Sequence, residues 1–221
     1  MNVASRTARV SAARLPGWVE RFAAGHGAGP GVPLKAGVHD DGVLLVAPDG
    51  ATALLRAPWP VDGRPGRGAD EVERLAALAS QPRALGLVLV RRGGYAVGVS
   101  AGAELLKHKA GTRYVQSRSA AGGGSQQRFA RRRANQADAL VERVALDAAA
   151  AFDGHAVEYL ALGGDKALLE LVLAEPALKA YATRARLRII DVPDPRAAVL
   201  AKAAADFAAV QILITDPPAQ L

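Results

Sequence analysis

The chain has 221 residues, half of them hydrophobic, which is enough to bury a core in one or two domains. It contains no cysteine, which excludes disulfides, thiolate catalysis and cysteine-based zinc sites and fits a reducing compartment. Lys+Arg number 28 against 21 Asp+Glu, a net charge of +7. No apolar run reaches the roughly 18 residues of a membrane span, and the N-terminus lacks the apolar stretch of a secretory signal, so a soluble cytoplasmic protein without membrane contact is expected.

Taken in order, the elements read as follows. Residues 11–24 predict a short helix, with Leu15, Val19 and Phe22 at helical spacing. A Gly/Pro loop follows at 25–33, then strands at 42–47 and 51–57 around the turn "PDG". "PWPVDGRPGRG" at 58–68 predicts a mobile loop. Asp70 and Glu71 open a helix over 70–80, where acidic side chains suit the N-terminal end of the helix dipole. Residues 84–100 predict a β-hairpin turning at "RRGG". "TRYVQSRS" at 112–119 alternates like a strand. Helical spacing then runs from about Ser125 to Phe152 through Ala130, Ala134, Ala137, Val141, Val144 and Ala148. Residues 157–164 predict a buried strand, 166–182 one or two helices interrupted near Pro176, and 186–192 a strand. A helix opening at Pro195 runs to about Asp206, before a last strand at 210–215. Alternation of strand and helix in the second half argues for an α/β fold with some parallel pairing.

Charge is placed unevenly. From Leu105 to Ala137 there is no acidic residue, while Lys107, Lys109, Arg113, Arg118, Arg128, Arg131, Arg132 and Arg133 supply eight positive charges. Removing them leaves 20 basic against 21 acidic residues, so this one segment accounts for the net charge. Arginine outnumbers lysine throughout, which compositional bias alone can produce, but such bias would be spread evenly. A concentrated patch of one sign points to a polyanion, and nucleic acid is the expected partner over a solvated helix face near an acidic partner surface.

The other candidates for chemistry are weak. His26, His39, His108 and His155 are scattered without metal-ligand spacing. "GGDKA" at 163–167 lacks the spacing of a phosphate-binding loop and predicts a strand-to-helix turn. The pairs Asp40–Asp41 and Asp191/Asp194 are ordinary for turns. No metal or cofactor is expected. What stands out is "SAAGGGSQQRFARRRANQ" at 119–136. Gly122, Gly123 and Gly124 make a loop that can approach another backbone closely, Ser125 can cap the helix, and Gln126 and Gln127 follow directly. Phe129 among the arginines predicts a core anchor rather than a base-stacking group. An amide cannot act as a general base but can orient a water. Taken alone, "GGGSQQ" reads as a flexible polar linker.

"GGGSQQRFARRRANQADALVERVA" resembles the central domain of eukaryotic and archaeal class-1 peptide-release factors, in which a strand, a Gly-Gly-Gln loop and a basic Arg-Phe segment lead into a long helix. Arg128, Phe129, Arg131 and Arg133 match the basic segment, and "VEYLALGGDKALLELVL" is similar to the following strand and helix. Aligned from Arg128, the family glutamine falls on Gly124. The later glutamines are similar to the VLRF group, whose loop is Gly-x-x-Gln. Gly123–Gln126 fits that form, and so does Gly124–Gln127, so Gln126 is the first choice and Gln127 the second. The chain most resembles a bacterial, actinobacterial member of that group, strongly over about 112–150 and by architecture beyond.

The resemblance implies a mixed sheet flanked by helices over 69–221, forming a release-factor-like catalytic domain; residues 1–68 are expected to be a β-rich extension or subdomain packed on it. It further implies hydrolysis of the peptidyl-tRNA ester on stalled or obstructed ribosomal complexes. The loop would enter the peptidyl-transferase centre of the large subunit, where the glutamine positions a water, and the arginines would bind RNA phosphates. The chain is expected to act as a monomer. Stop-codon recognition is not expected. A tRNA CCA-end endonuclease and a non-catalytic ribosome- or RNA-binding module are the alternatives.

Overall fold

The computed structural model describes residues 5–40, 42–112 and 126–217, with the side chains of 126–136 excepted. The chain divides into two compact units, 1–81 with 208–221, and 82–207. Residues 69–81 belong to the first of these units, as does the C-terminal strand.

The first unit is an antiparallel sheet of β1 (Ser5–Val10), β2 (Lys35–His39), β3 (Gly42–Val46), β4 (Thr52–Arg56) and β10 (Val210–Thr215). Their order is β1-β10-β4-β3-β2. Alternation sets one face of the sheet: Val43, Leu45, Ala53, Leu55, Ile212 and Ile214 are buried while their sequence neighbours are partly exposed. That face packs with Leu15 and Phe22 of α1 (Leu15–Gly25) and Leu75 and Ala79 of α2 (Glu71–Ala79) in one core cluster. Asp70 caps α2, its carboxylate accepting from the Glu73 amide at 2.8 Å, while the Glu73 carboxylate accepts from the Ala69 amide at 2.7 Å. The 58–68 segment, expected to be mobile, is tied down. Trp59 is buried and its Nε1 donates to the Leu78 carbonyl at 2.9 Å, and Gln81 Nε2 donates to the Arg64 carbonyl at 2.9 Å.

The second unit is a mixed sheet of β5 (Ala84–Arg91), β6 (Gly94–Ala101), β7 (Glu104–Thr112), β8 (Tyr159–Gly164) and β9 (Ala185–Arg186). Their order is β7-β6-β5-β8-β9. β5, β6 and β7 form an antiparallel meander, whereas β8 is parallel to both β5 and β9. The 27-residue α3 (Gln126–Phe152) makes the crossover from β7 to β8. It packs on one face of the sheet beside α4 (Lys166–Ala174) and the 3-10 turn Pro176–Tyr181. Val88, Val90, Tyr95, Val97, Val99, Leu160 and Leu162 point into that layer. The opposite face meets α5 (Ala197–Phe207), with Leu200 against the bare backbone of Gly98. Cover on both faces explains why β5 and β8 read as unbroken apolar runs.

Most of the expected elements stand: the α1, α2, α4 and α5 helices, the 84–100 hairpin, and the long helix. Three strands went unpredicted. β1 and β2 are sheet edges, exposed along almost their whole length. β7 is also an edge strand, mostly exposed and rich in polar residues, with its register shifted beside Leu106. The strand expected over 112–119 lies outside the described residues except for Thr112, which ends β7. The strand expected over 186–192 shortens to β9 and a single bridge from Ile190 to Gly163.

Candidate functional site

The glycine segment connects β7 to α3. Gly122, Gly123, Gly124, Ser125, Arg113 and Arg118 lie outside the described residues. Gln126 and Gln127 are the first two residues of α3, and Arg128, Arg131, Arg132 and Arg133 follow on its next turns; their side chains are likewise outside the description.

The described site is the stem that holds this connection. Lys107, Lys109 and Gly111 lie on one face of β7, opposite Val99, Val97 and Tyr95 of β6 in the ladder. All three positions face α3. Lys107 Nζ donates to the Ala150 carbonyl at 2.6 Å, and Lys109 Nζ to Asp147 Oδ1 at 2.9 Å. Gly111 and Thr112 line an open cleft with Leu140, Arg143 and Leu146. Each two-residue step along β7 therefore meets a step of three or four residues back along α3. Strand and helix run antiparallel in matched rise, about 6.6 Å against 4.5–6 Å. With Thr112 level with residues 139–143, the helix continues N-terminally for roughly 20 Å past the end of β7 at 1.5 Å per residue.

A buried carboxylate fastens this register. Asp147 lies on the helical stripe Leu140, Val144, Asp147, Ala151 and is only 7% exposed. Its Oδ2 accepts from the Tyr95 hydroxyl at 2.5 Å and from Arg143 Nε at 2.9 Å, and its Oδ1 from Lys109. Burial pushes the Asp147 carboxyl up, but the hydrogen bonds from Tyr95, Lys109 and Arg143 outweigh it and hold the group below its ordinary value. Burial, and then the bond to Asp147, push the Tyr95 phenol up. The hydrogen bonds of Arg143 to Tyr95 and Asp147 raise its guanidinium in turn. Gly111 is part of the same fit, since a Cβ there would lie 2.6–2.8 Å from the Tyr95 ring and hydroxyl.

Of the basic residues predicted to bind RNA, Lys107 and Lys109 are therefore tethers between β7 and α3 in this structure, both remaining at the surface. Tyr95, Arg143 and Asp147 were not singled out from the sequence. The available signal was Asp147, an acid on an otherwise apolar helical stripe.

All of the formal net charge belongs to the second unit, which holds 19 basic against 12 acidic residues, while the first holds nine of each. Among the described residues no cluster of His, Asp and Glu is arranged to hold a metal ion, and no helix is long and apolar enough to cross a membrane.

Comparison with known proteins assigns the class. Residues 83–213 match the family model of the Actinobacteria/chloroflexi VLRF1 release factor, and the chain belongs to that family. The matched segment covers nearly all of the second unit and runs on into β10. Among solved structures, an archaeal translation termination factor, aRF1, is similar at 16% identity and TM-score 0.42, over 72% of this chain and 47% of that one. A structure described as an archaeal protein is similar at 14% identity and TM-score 0.31, over 72% of this chain and 48% of the other. The chain thus spans about half the length of these structures. No curated protein matches it.

Proposed function

We propose that this protein hydrolyses the peptidyl-tRNA ester on stalled or obstructed ribosomal complexes, with the segment around Gly122–Gln127 delivered to the peptidyl-transferase centre of the large subunit. The observation that carries the reading is family membership over 83–213 together with the position of the glycine segment as the β7–α3 connection. In this reading Gln126, or Gln127 in its place, orients the attacking water with its amide. Positioning and RNA groups supply much of the remaining catalysis, so no nucleophilic triad or metal is called for. Lys107, Lys109, Arg113, Arg118, Arg128, Arg131, Arg132 and Arg133 contact RNA phosphates, which makes binding salt-dependent.

The stem favours this use. A loop that must enter a narrow RNA cavity needs a base that does not swing, and the Asp147 hub fixes strand to helix below the loop. The test is release of labelled peptide from stalled ribosome–nascent-chain complexes. Wild type should release it, and Gln126→Ala or Gln127→Ala should lower the rate by at least 100-fold while ribosome binding persists. Release unchanged in the double variant would rule out the glutamine mechanism. A shortened tRNA 3′ end would instead identify an endonuclease.

A further inference from the structure

The turn "RRGG", read in the sequence only as a hairpin device, sits beside the root of the glycine segment. Gly94 pairs with Arg91 on one side and with Thr112 on the other, and Val90 pairs with Gly164. The β5–β6 turn, the end of β7 and the β8–α4 turn therefore leave the sheet at one end. Gly164 takes φ +103°, which lets the chain fold back so that the Asp165 amide donates to the Val90 carbonyl at 2.9 Å. The Pro195 carbonyl lies 3.8 Å from where a Cβ on Gly94 would stand, which brings Arg196 to the same end.

The charges there divide clearly. Arg91 is engaged, its guanidinium bonded to the Asp191 carboxylate and the Val192 carbonyl. Asp165 is also engaged, accepting from the Ala167 and Leu168 amides at 3.0 and 3.2 Å as the cap of α4. Asp194 is exposed and is the remaining acid of these turns. Arg92, Lys166 and Arg196 are exposed and have no partner among the described residues. Lys166 is the first residue of α4 and Arg196 immediately precedes α5, positions where the helix dipole disfavours a cation. The β6–β7 turn, at the opposite end of the sheet, ends instead in Glu104. Cations held against local preference, next to the root of the basic segment, point to a use other than helix stability.

We propose that Arg92, with Lys166 and Arg196, forms a second phosphate-binding rim for ribosome-bound RNA, at the end of the sheet where β7 finishes in Thr112. It rests on the reading that this unit engages peptidyl-tRNA complexes. The rim adds backbone contacts that orient the unit, with no role in the chemical step.

The test is binding of wild type, Arg92→Gln, Arg92→Gln/Lys166→Gln and Arg92→Lys to ribosomal complexes carrying peptidyl-tRNA across a series of KCl concentrations. Arg186→Gln serves as a control, because Arg186 lies at the other end of the sheet and is bonded to both oxygens of Glu170. The slope of log affinity against log salt should fall by roughly one for each cation removed, with several-fold weaker binding, while Arg92→Lys and Arg186→Gln keep the wild-type slope. A wild-type slope in the double glutamine variant, or equal loss in Arg92→Lys, would overturn the proposal. If the slope falls as expected but wild type releases no peptide, the rim stands and the hydrolase reading fails.

Discussion

The hydroxyl of Tyr95, on β6, donates to the carboxylate of Asp147, on α3, across 52 residues of sequence. Lys109 and Arg143 complete the coordination of the same carboxylate. Tyr95→Phe keeps the ring and loses one bond to a charged group, so unfolding in urea should show about 1–2 kcal/mol less stability. Asp147→Ala should cost about 1–3 kcal/mol, less than a fully buried pair, because Lys109 and Arg143 are half exposed and can be rehydrated.

The same hub predicts a pH dependence. The Asp147 carboxyl is held below its ordinary value, so its contribution is present above the unfolded carboxylate pKa of about 4 and is lost as pH falls through the lower, folded value. The Tyr95 phenol is raised, so its contribution is present below about pH 10 and is lost as pH climbs through the folded value. Thermal unfolding followed against pH should show both limbs. Asp147→Asn should flatten the acid limb and Tyr95→Phe the alkaline one.

Gly111→Ala would drive a methyl group into the Tyr95 ring at 2.6–2.8 Å. The expected cost is about 1–3 kcal/mol, typical of overpacking. Combining it with Tyr95→Leu should recover part of that loss, since the smaller side chain vacates the space. A double-mutant cycle in urea checks it, and strict additivity would show that the two positions do not share the fit.

In the first unit, Ile212 is fully buried on the strand between β1 and β4. Ile212→Ala should cost about 2–4 kcal/mol by lost burial and the cavity left behind. Hydrogen exchange should locate the loss in β1, β4 and β10, with the amides of β5 and β6 keeping their protection.

Trp59→Phe should cost about 1 kcal/mol for the bond to the Leu78 carbonyl. Protease cleavage within 58–68 should then be faster than in wild type, because that bond fastens the segment to the end of α2.

The sequence by itself determined the elements whose period is set by a nearby core. Helices α1, α2 and α4, strands β3 and β4, and the β5–β6 hairpin each carry enough buried side chains for the pattern to show locally. It also determined where the charge lies and, through the Gly-Gln-Arg order, the family. Tertiary structure alone decided the rest. The edge strands β1, β2 and β7 bury too little to leave a periodic trace, and pairing with an existing sheet makes them strands. The last strand enters the first unit because that sheet has an open ladder between β1 and β4, a non-local contact that no window around 210–215 contains. Lys107 and Lys109 read as RNA ligands in sequence. That they also tether β7 to α3 was decided by the crossing of the two elements, which sets Lys107 against the Ala150 carbonyl and buries Asp147 beside Lys109, because a carboxylate taken out of water must be paired and hydrogen-bonded.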